Sequence, residues 1–301
     1  MNFFKTVAQS KLAGPFTFLM VFLPVLISYG QKNIDVQNKD IPSMRTANSY
    51  TVANEDGSFT NTNHSHPIHF KEYQTLQPID LNIIANPGLK NPEFPYVNAS
   101  NTLKSYIPVE ISQGLLTETE DGFTIKDFKN PRMYAEMQGA SINPQFINES
   151  SVQVLGNKAL FSNIYNDIDL SVQMDYGRRK ADYIIKSADV LSNFPENANY
   201  LVFEEEVVLP ENWFAEIKDE VIVIFNEQNK QMASFDKPAV IEPNKSLIPI
   251  VDFISNRNNG ISSQVKTLVF FEIETLSNGF RLKTKVDMEW LRSNDLSLIH
   301  I

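Results

Sequence analysis

Residues 168–176, IDLSVQMDY, decide the fold class. Ile168, Leu170, Val172, Met174 and Tyr176 alternate with Asp169, Ser171, Gln173 and Asp175. A period of two puts every apolar side chain on one face of an extended strand, with one face buried and the other wet. A turn at Gly177 follows, and Ala181, Tyr183 and Ile185 resume the alternation. Further out, residues 220–225 and 231–241 read as paired strands around Asn226–Asn229. Val265, Thr267, Val269, Phe271 and Ile273 alternate with Lys266, Leu268, Phe270 and Glu272. Apolar residues on both faces suit a sandwich-core strand. Ser277-Asn278-Gly279 is a hairpin signal, after which Phe280, Leu282, Thr284, Val286 and Met288 alternate back. Toward the N-terminus, Phe123, Ile125 and Phe128 follow an Asp121-Gly122 turn, and residues 49–60 read as a hairpin about Asn54-Glu55-Asp56-Gly57. Pro78, Pro87, Pro92, Pro95 and Pro108 mark loops and edge strands. Only residues 210–219, PENWFAEIKD, suggest a helical turn or two. The pattern predicts an all-β fold of antiparallel β-sandwich units.

Composition agrees with that reading. The 21 Phe and 10 Tyr among 301 residues favour half-buried pleated surfaces. Net charge is −10, and because residues 1–30 hold two lysines and no acid, the chain from Gln31 carries −12. An acidic surface argues against nucleic acid and anionic lipid as partners. The chain has no cysteine. That rules out a disulfide framework, thiolate metal sites, a cysteine nucleophile and a lipid anchor on cysteine.

The first thirty residues carry the strongest functional signal. Lys5 and Lys11 precede residues 16–27, FTFLMVFLPVLI, an uncharged run that is short for a membrane span and normal for a signal-peptide core. Ser28 and Gly30 are small residues at the positions that a signal peptidase reads, so the expected cut lies between Gly30 and Gln31. A secreted or cell-surface location follows. The expected division is a signal peptide at 1–30, a flexible leader at 31–45, an N-terminal β-rich unit at 46–147 and a second β-sandwich unit at 148–301. No second apolar stretch is long enough to span a membrane.

Catalytic motifs do not emerge. There is no glycine-rich phosphate loop after a strand, no nucleophile-elbow serine and no paired-histidine zinc helix. His64, His66 and His69 form the one metal-like cluster. On a strand, His64 and His66 would share a face, but Pro67 disturbs such a strand, and a polar turn is the favoured reading. Asp167 and Asp169 could reach calcium, although the spacing lacks that of a dedicated calcium loop. Glu204-Glu205-Glu206 and residues 118–121 read as solvated faces and turns. Trp213 and Phe214 read as core rather than as a sugar platform. Asn63, Asn98 and Asn148 each begin an Asn-x-Ser triplet, which matters only in a glycosylating host. No catalytic, cofactor-binding or metal-binding residue is assigned, and no cofactor is expected.

Two stretches resemble a known class. Residues 45–60, RTANSYTVANEDGSFT, and 67–80, PIHFKEYQTLQPID, are similar to the opening of large secreted bacterial surface proteins. Residues 160–189, LFSNIYNDIDLSVQMDYGRRKADYIIKSAD, resemble bacterial SBBP-type β-repeat proteins through Tyr165, Ile168, Asp169, Leu170, Asp182, Tyr183 and Asp189. Asp167 stands where that pattern has glycine and Ser187 where it has proline. The leader ending in Tyr-Gly-Gln looks like those of bacteria with type IX secretion. The resemblance implies a non-enzymatic structural or adhesion-type module of a larger cell-surface protein, with a surface or protein partner. A carbohydrate-binding or glycan-processing β-sandwich is the alternative, with a glycan as partner. Residues 289–291, Glu-Trp-Leu, are followed in the resembling proteins by a further strand. Together with the adapter-like ending SLIHI, this predicts a C-terminally truncated N-terminal piece.

Overall fold

A computed structural model describes residues 39–86, 93–240, 268–293 and 299–300. The expected signal peptide lies outside these residues. So do residues 31–38 of the leader, Pro87 and Pro92, Ile241, the expected strand start at Val265 and Thr267, and residues 294–298 and Ile301.

The chain divides into two compact units, at Asn63 and His64. In the first unit, β1 (Lys39–Asp40), β2 (Ser49–Ala53) and β3 (Phe59–Asn63) form an antiparallel sheet. The hairpin about residues 54–57 is present as the sequence predicts, and Gly57 adopts the positive φ of 81° that its turn requires. Residues 39–45, expected in the leader, instead form β1 and a short 3-10 turn. There the Ile41 amide donates to the Thr51 carbonyl, and Arg45 pairs with Asp40.

The second unit runs through β4 (His69–Glu72), β5 (Thr75–Pro78), β6 (Ile84–Ala85), β7 (Tyr96–Asn98), β8 (Lys104–Ile107), β9 (Leu115–Glu118), β10 (Thr124–Met137) and β11 (Ala140–Phe146). Next come β12 (Val152–Leu155), β13 (Lys158–Tyr165), β14 (Ile168–Asp175), β15 (Arg178–Ile185) and β16 (Tyr200–Val208). The remainder is β17 (Phe214–Lys218), β18 (Val221–Phe225), β19 (Gln231–Phe235), β20 (Val269–Leu276), β21 (Gly279–Asp287), helix α1 (Met288–Ser293) and β22 (Ile299–His300). A nine-stranded sheet has the order β20-β21-β16-β10-β9-β8-β7-β6, with β11 also on β10. A five-stranded sheet runs β12-β13-β14-β15-β22, a three-stranded one β17-β18-β19, and β4 pairs with β5. Every pairing is antiparallel. The fold is therefore all-β. Among the described residues no helix is long and apolar enough to cross a membrane.

β14 follows its alternation in part: Gln173 is exposed, Asp169 and Asp175 are half-buried, Ser171 is buried and Tyr176 lies exposed past the strand end, while Ile168, Leu170, Val172 and Met174 are buried. These residues join Phe161, Tyr183, Phe203, Leu201 and Val286 in the larger apolar cluster, which the five-stranded and nine-stranded sheets share. A smaller cluster lies toward the three-stranded sheet and contains Ile125, Val207, Ile222, Ile224, Phe280 and Leu282. The other face of the nine-stranded sheet carries a cross-strand ladder of charge. Glu272 and Glu274 of β20 meet Lys283 and Arg281 of β21, and Arg281 reaches Glu204 of β16, which also holds Arg132 of β10 at 2.7 Å.

Two further sequence expectations are corrected. The boundary at 147/148 falls inside one sheet, because β10 and β16 pair from Lys126↔Val208 to Glu136↔Tyr200. Residues 210–219 are not helical. Asn212 takes a φ of 64°, the Trp213 amide closes a turn onto the Pro210 carbonyl, and Phe214–Lys218 pairs with β18. Among the described residues the α-helix lies instead at Met288–Ser293, where an Asp287 carboxylate oxygen accepts the Trp290 amide as an N-cap.

The β20–β21 hairpin depends on one glycine. Gly279 has a φ of 149°, and a Cβ there would sit 1.9 Å from the Val207 carbonyl oxygen of the neighbouring strand. Gly279→Ala is expected to destabilise the chain by about 1–3 kcal/mol, the scale of local backbone strain. A chemical-denaturation midpoint checks this, and an unchanged midpoint would show that the hairpin shifts freely.

Candidate functional site

The inner face of β16 holds Leu201, Phe203, Glu205 and Val207, and the outer face holds Val202, Glu204, Glu206 and Val208. Period-two geometry thus sends the middle of three consecutive glutamates inward. Glu205 is only 5% exposed, between Phe203 of the larger cluster and Val207 of the smaller one. Glu204 is also buried. It accepts from Arg132 and, at 2.9 Å, from the Tyr134 hydroxyl. The expectation of a solvated glutamate run is therefore wrong for both residues: one is roofed by cross-strand partners and the other faces the core.

β10 brings a second carboxyl to the same place. Its register against β16 shifts between Lys126 and Lys129, and Phe128 and Asn130 adopt φ values of 53° and 49°. Such bulges re-aim side chains, and positive φ at a bulky phenylalanine stores strain. Here the bulge leaves Asp127 2% exposed. Asp127 Oδ2 pairs with Arg179 of β15, and Arg179 Nη1 also donates to Thr117 Oγ1 at 2.8 Å. Among the described residues, Asp127 Oδ1 has no hydrogen-bond partner although it is buried.

Burial and the neighbouring Asp127 charge push the Glu205 carboxyl well above the usual carboxylate range. Burial also raises Asp127, but the Arg179 guanidinium opposes that shift. Both carboxyls are therefore raised, Glu205 the more strongly, while the Arg179 guanidinium favours the ionised form of Asp127. Tyr183 lies 4.1 Å from Phe203 in a stacked pair, and burial raises its hydroxyl well above the ordinary value. Beside these groups lies a cavity of about 1050 Å³, lined by Asp127, Arg179, Glu205, Tyr183, Phe203 and Thr284 among others. This is the upper end of the range for ligand pockets, about 300–1,000 Å³. The set offers a carboxylate acceptor, a carboxylic acid donor and a guanidinium donor beside aromatic rings.

Of the residues singled out in the sequence, Glu205 and, from residues 118–121, Glu120 and Asp121 line this cavity, whereas the histidines, Asp167, Asp169, Trp213 and Phe214 do not. His64 and His66 lie in a bend, with ring centres 5.8 Å apart, and His66 packs 4.9 Å from Tyr176. His69 is buried in β4. No group of three or more metal-ligating side chains stands together among the described residues. Asp167 occupies the β13–β14 turn with a φ of 58°. Asp169 accepts from Lys186 Nζ at 2.8 Å and the Asn163 amide at 2.7 Å, so its charge is used within the fold. Trp213 meets Phe123 at 5.0 Å while Phe214 stacks on Phe225 at 5.4 Å, which separates the adjacent rings into two contacts. Asn98 is wholly buried, donating to the Asp80 and Asn82 carbonyls, and so offers no attachment point in the folded chain. Comparison with protein-family models, curated proteins and solved structures finds no match to this chain.

Proposed function

We propose that the chain is an exported, non-enzymatic module of a larger bacterial cell-surface protein, structural or adhesive in role. The N-terminal pattern carries this reading: two lysines, a twelve-residue apolar run and small residues at 28 and 30, ahead of an all-β body. The resemblance to secreted surface proteins in residues 45–80 and 160–189 supports it. Intact-mass measurement on protein from the native host is expected to show a mature N-terminus at Gln31, and protease added to whole cells is expected to digest it. Retention of Met1–Gly30, or full protection from protease, would overturn the proposal.

A second reading, carbohydrate binding or glycan processing, is favoured by one observation. Asp127 and Glu205 are two buried carboxyls beside a cavity, both with raised proton affinity and Glu205 the more strongly, an arrangement that both acid–base chemistry and hydroxyl recognition use.

A further inference from the structure

We propose that the cavity beside Asp127, Arg179 and Glu205 binds an uncharged, hydroxyl-rich ligand of the size of a short oligosaccharide. The inference rests on the carbohydrate-binding half of the second reading and names its site and the charge of its ligand. Four observations lead to it.

The first is an unsatisfied acceptor. Asp127 is 2% exposed and lines the cavity, and its Oδ1 lacks a partner among the described residues while Oδ2 holds Arg179. A buried carboxylate oxygen without a donor is costly, and a ligand hydroxyl would satisfy it.

The second is the charge balance. Asp127 and Arg179 cancel each other, burial and Asp127 oppose the ionisation of Glu205 more than Arg179 favours it, and the four acids and four bases elsewhere in the lining also balance. The inner cluster is therefore neutral. An ammonium ligand would compete with Arg179 for Asp127, and an anion would face that same carboxylate. A neutral polyol meets neither difficulty: its hydroxyls can donate to Asp127 and accept from Glu205 and Arg179.

The third is the two-sided wall. Thr284 and the charged groups provide polar edges, and Tyr183, 7% exposed and backed by the stacked Phe203, provides an aromatic one. Sugars have hydroxyl-bearing rims and apolar C–H faces that match such a wall. The fourth is the break in the core. On β21, Leu282 belongs to the smaller cluster and Val286 to the larger, and Thr284 between them belongs to neither. On β16, Glu205 takes the corresponding place between Phe203 and Val207. Two strands thus place polar residues at adjacent inner positions, where apolar ones would have made the core continuous.

The test is titration calorimetry of the full chain with maltotriose, cellotriose, mannotriose and chitotriose, and with spermidine and citrate as charged comparators. At least one trisaccharide is expected to bind, and neither comparator. Asp127→Asn is expected to weaken that binding about tenfold or more, the scale of one hydrogen bond to a charged group. Since this variant can also loosen the fold, Thr284→Trp serves as a second one. It fills the cavity, leaves every charge in place and is expected to abolish binding while circular dichroism stays unchanged. Binding of spermidine or citrate, no binding by any trisaccharide, or sugar binding unaffected in both variants would overturn the proposal. Cleavage of the bound trisaccharide would uphold the site and overturn the non-enzymatic reading. Failure of export would leave the site assignment standing.

Discussion

Arg179→Met is expected to destabilise the folded chain by about 3–5 kcal/mol, the range for removing one partner of a buried ion pair. Arg179 reaches from β15 to Asp127 on β10, with a side chain only 12% exposed against 3% for Asp127. Methionine preserves much of the stem's packing and removes the guanidinium. Asp127 is then left buried and ionised beside Glu205, and Thr117 Oγ1 loses its donor. The urea midpoint should fall with little change in slope, since the same surface is exposed on unfolding. Asp127→Asn in the same background should recover part of the loss, because the stranded charge is gone. Additive losses in the double variant would refute a direct coupling between the two residues.

Glu205→Gln is expected to flatten the pH dependence of stability from about pH 4 upward. In the unfolded chain a glutamate titrates near about pH 4.3. In the folded chain burial, and then the Asp127 charge, hold the Glu205 carboxyl well above that value. Between the two values the native state keeps a proton that the unfolded state has released. Stability therefore falls as pH rises through this window, at up to about 1.4 kcal/mol per pH unit for one group. The contribution of Glu205 is fully present below the unfolded value and is lost as pH passes the folded one. Glutamine keeps the shape and has no proton to lose, so the variant should match the parent in acid and exceed it in alkali. Asp127, Arg179, Tyr165 and Tyr183 surround the group and remain in both proteins. Denaturation midpoints across a pH series decide the matter, and parallel curves for the two proteins would show that Glu205 is already ionised at neutral pH.

Strands were legible wherever one face is wet, as in β14, and hairpins wherever glycine or asparagine marks the turn, as at Gly57 and at residues 277–279. Residues 210–219 misled because a proline followed by Glu211 resembles a helix start, although Trp213, Ala215 and Ile217 already alternate with the period of two that pairing with β18 realises. The domain boundary misled because β10 and β16, more than sixty positions apart, pair across it, and periodicity carries no information about partners. Half of the site was open to inspection. In LVFEEEVV the alternation that buries Leu201, Phe203 and Val207 also buries the middle glutamate. Three acids in a row looked solvated only because they were counted together. Asp127 was not legible, since the bulge that turns it inward arises from the pairing of β10 with β16 and leaves no glycine as a trace.

The division of the core into two apolar clusters also bears on cooperativity. The polar seam of Asp127, Arg179, Glu205 and Thr284 interrupts the packing that would otherwise bind the β17-β18-β19 sheet to the rest of the unit. Amide exchange in such a protein proceeds through separate openings: the smaller cluster can be released while the five-stranded sheet and its partner strands stay protected. The unit is then expected to open as two foldons along this seam, and a molecule seated there would raise the free energy of both openings, since each one dismantles its site.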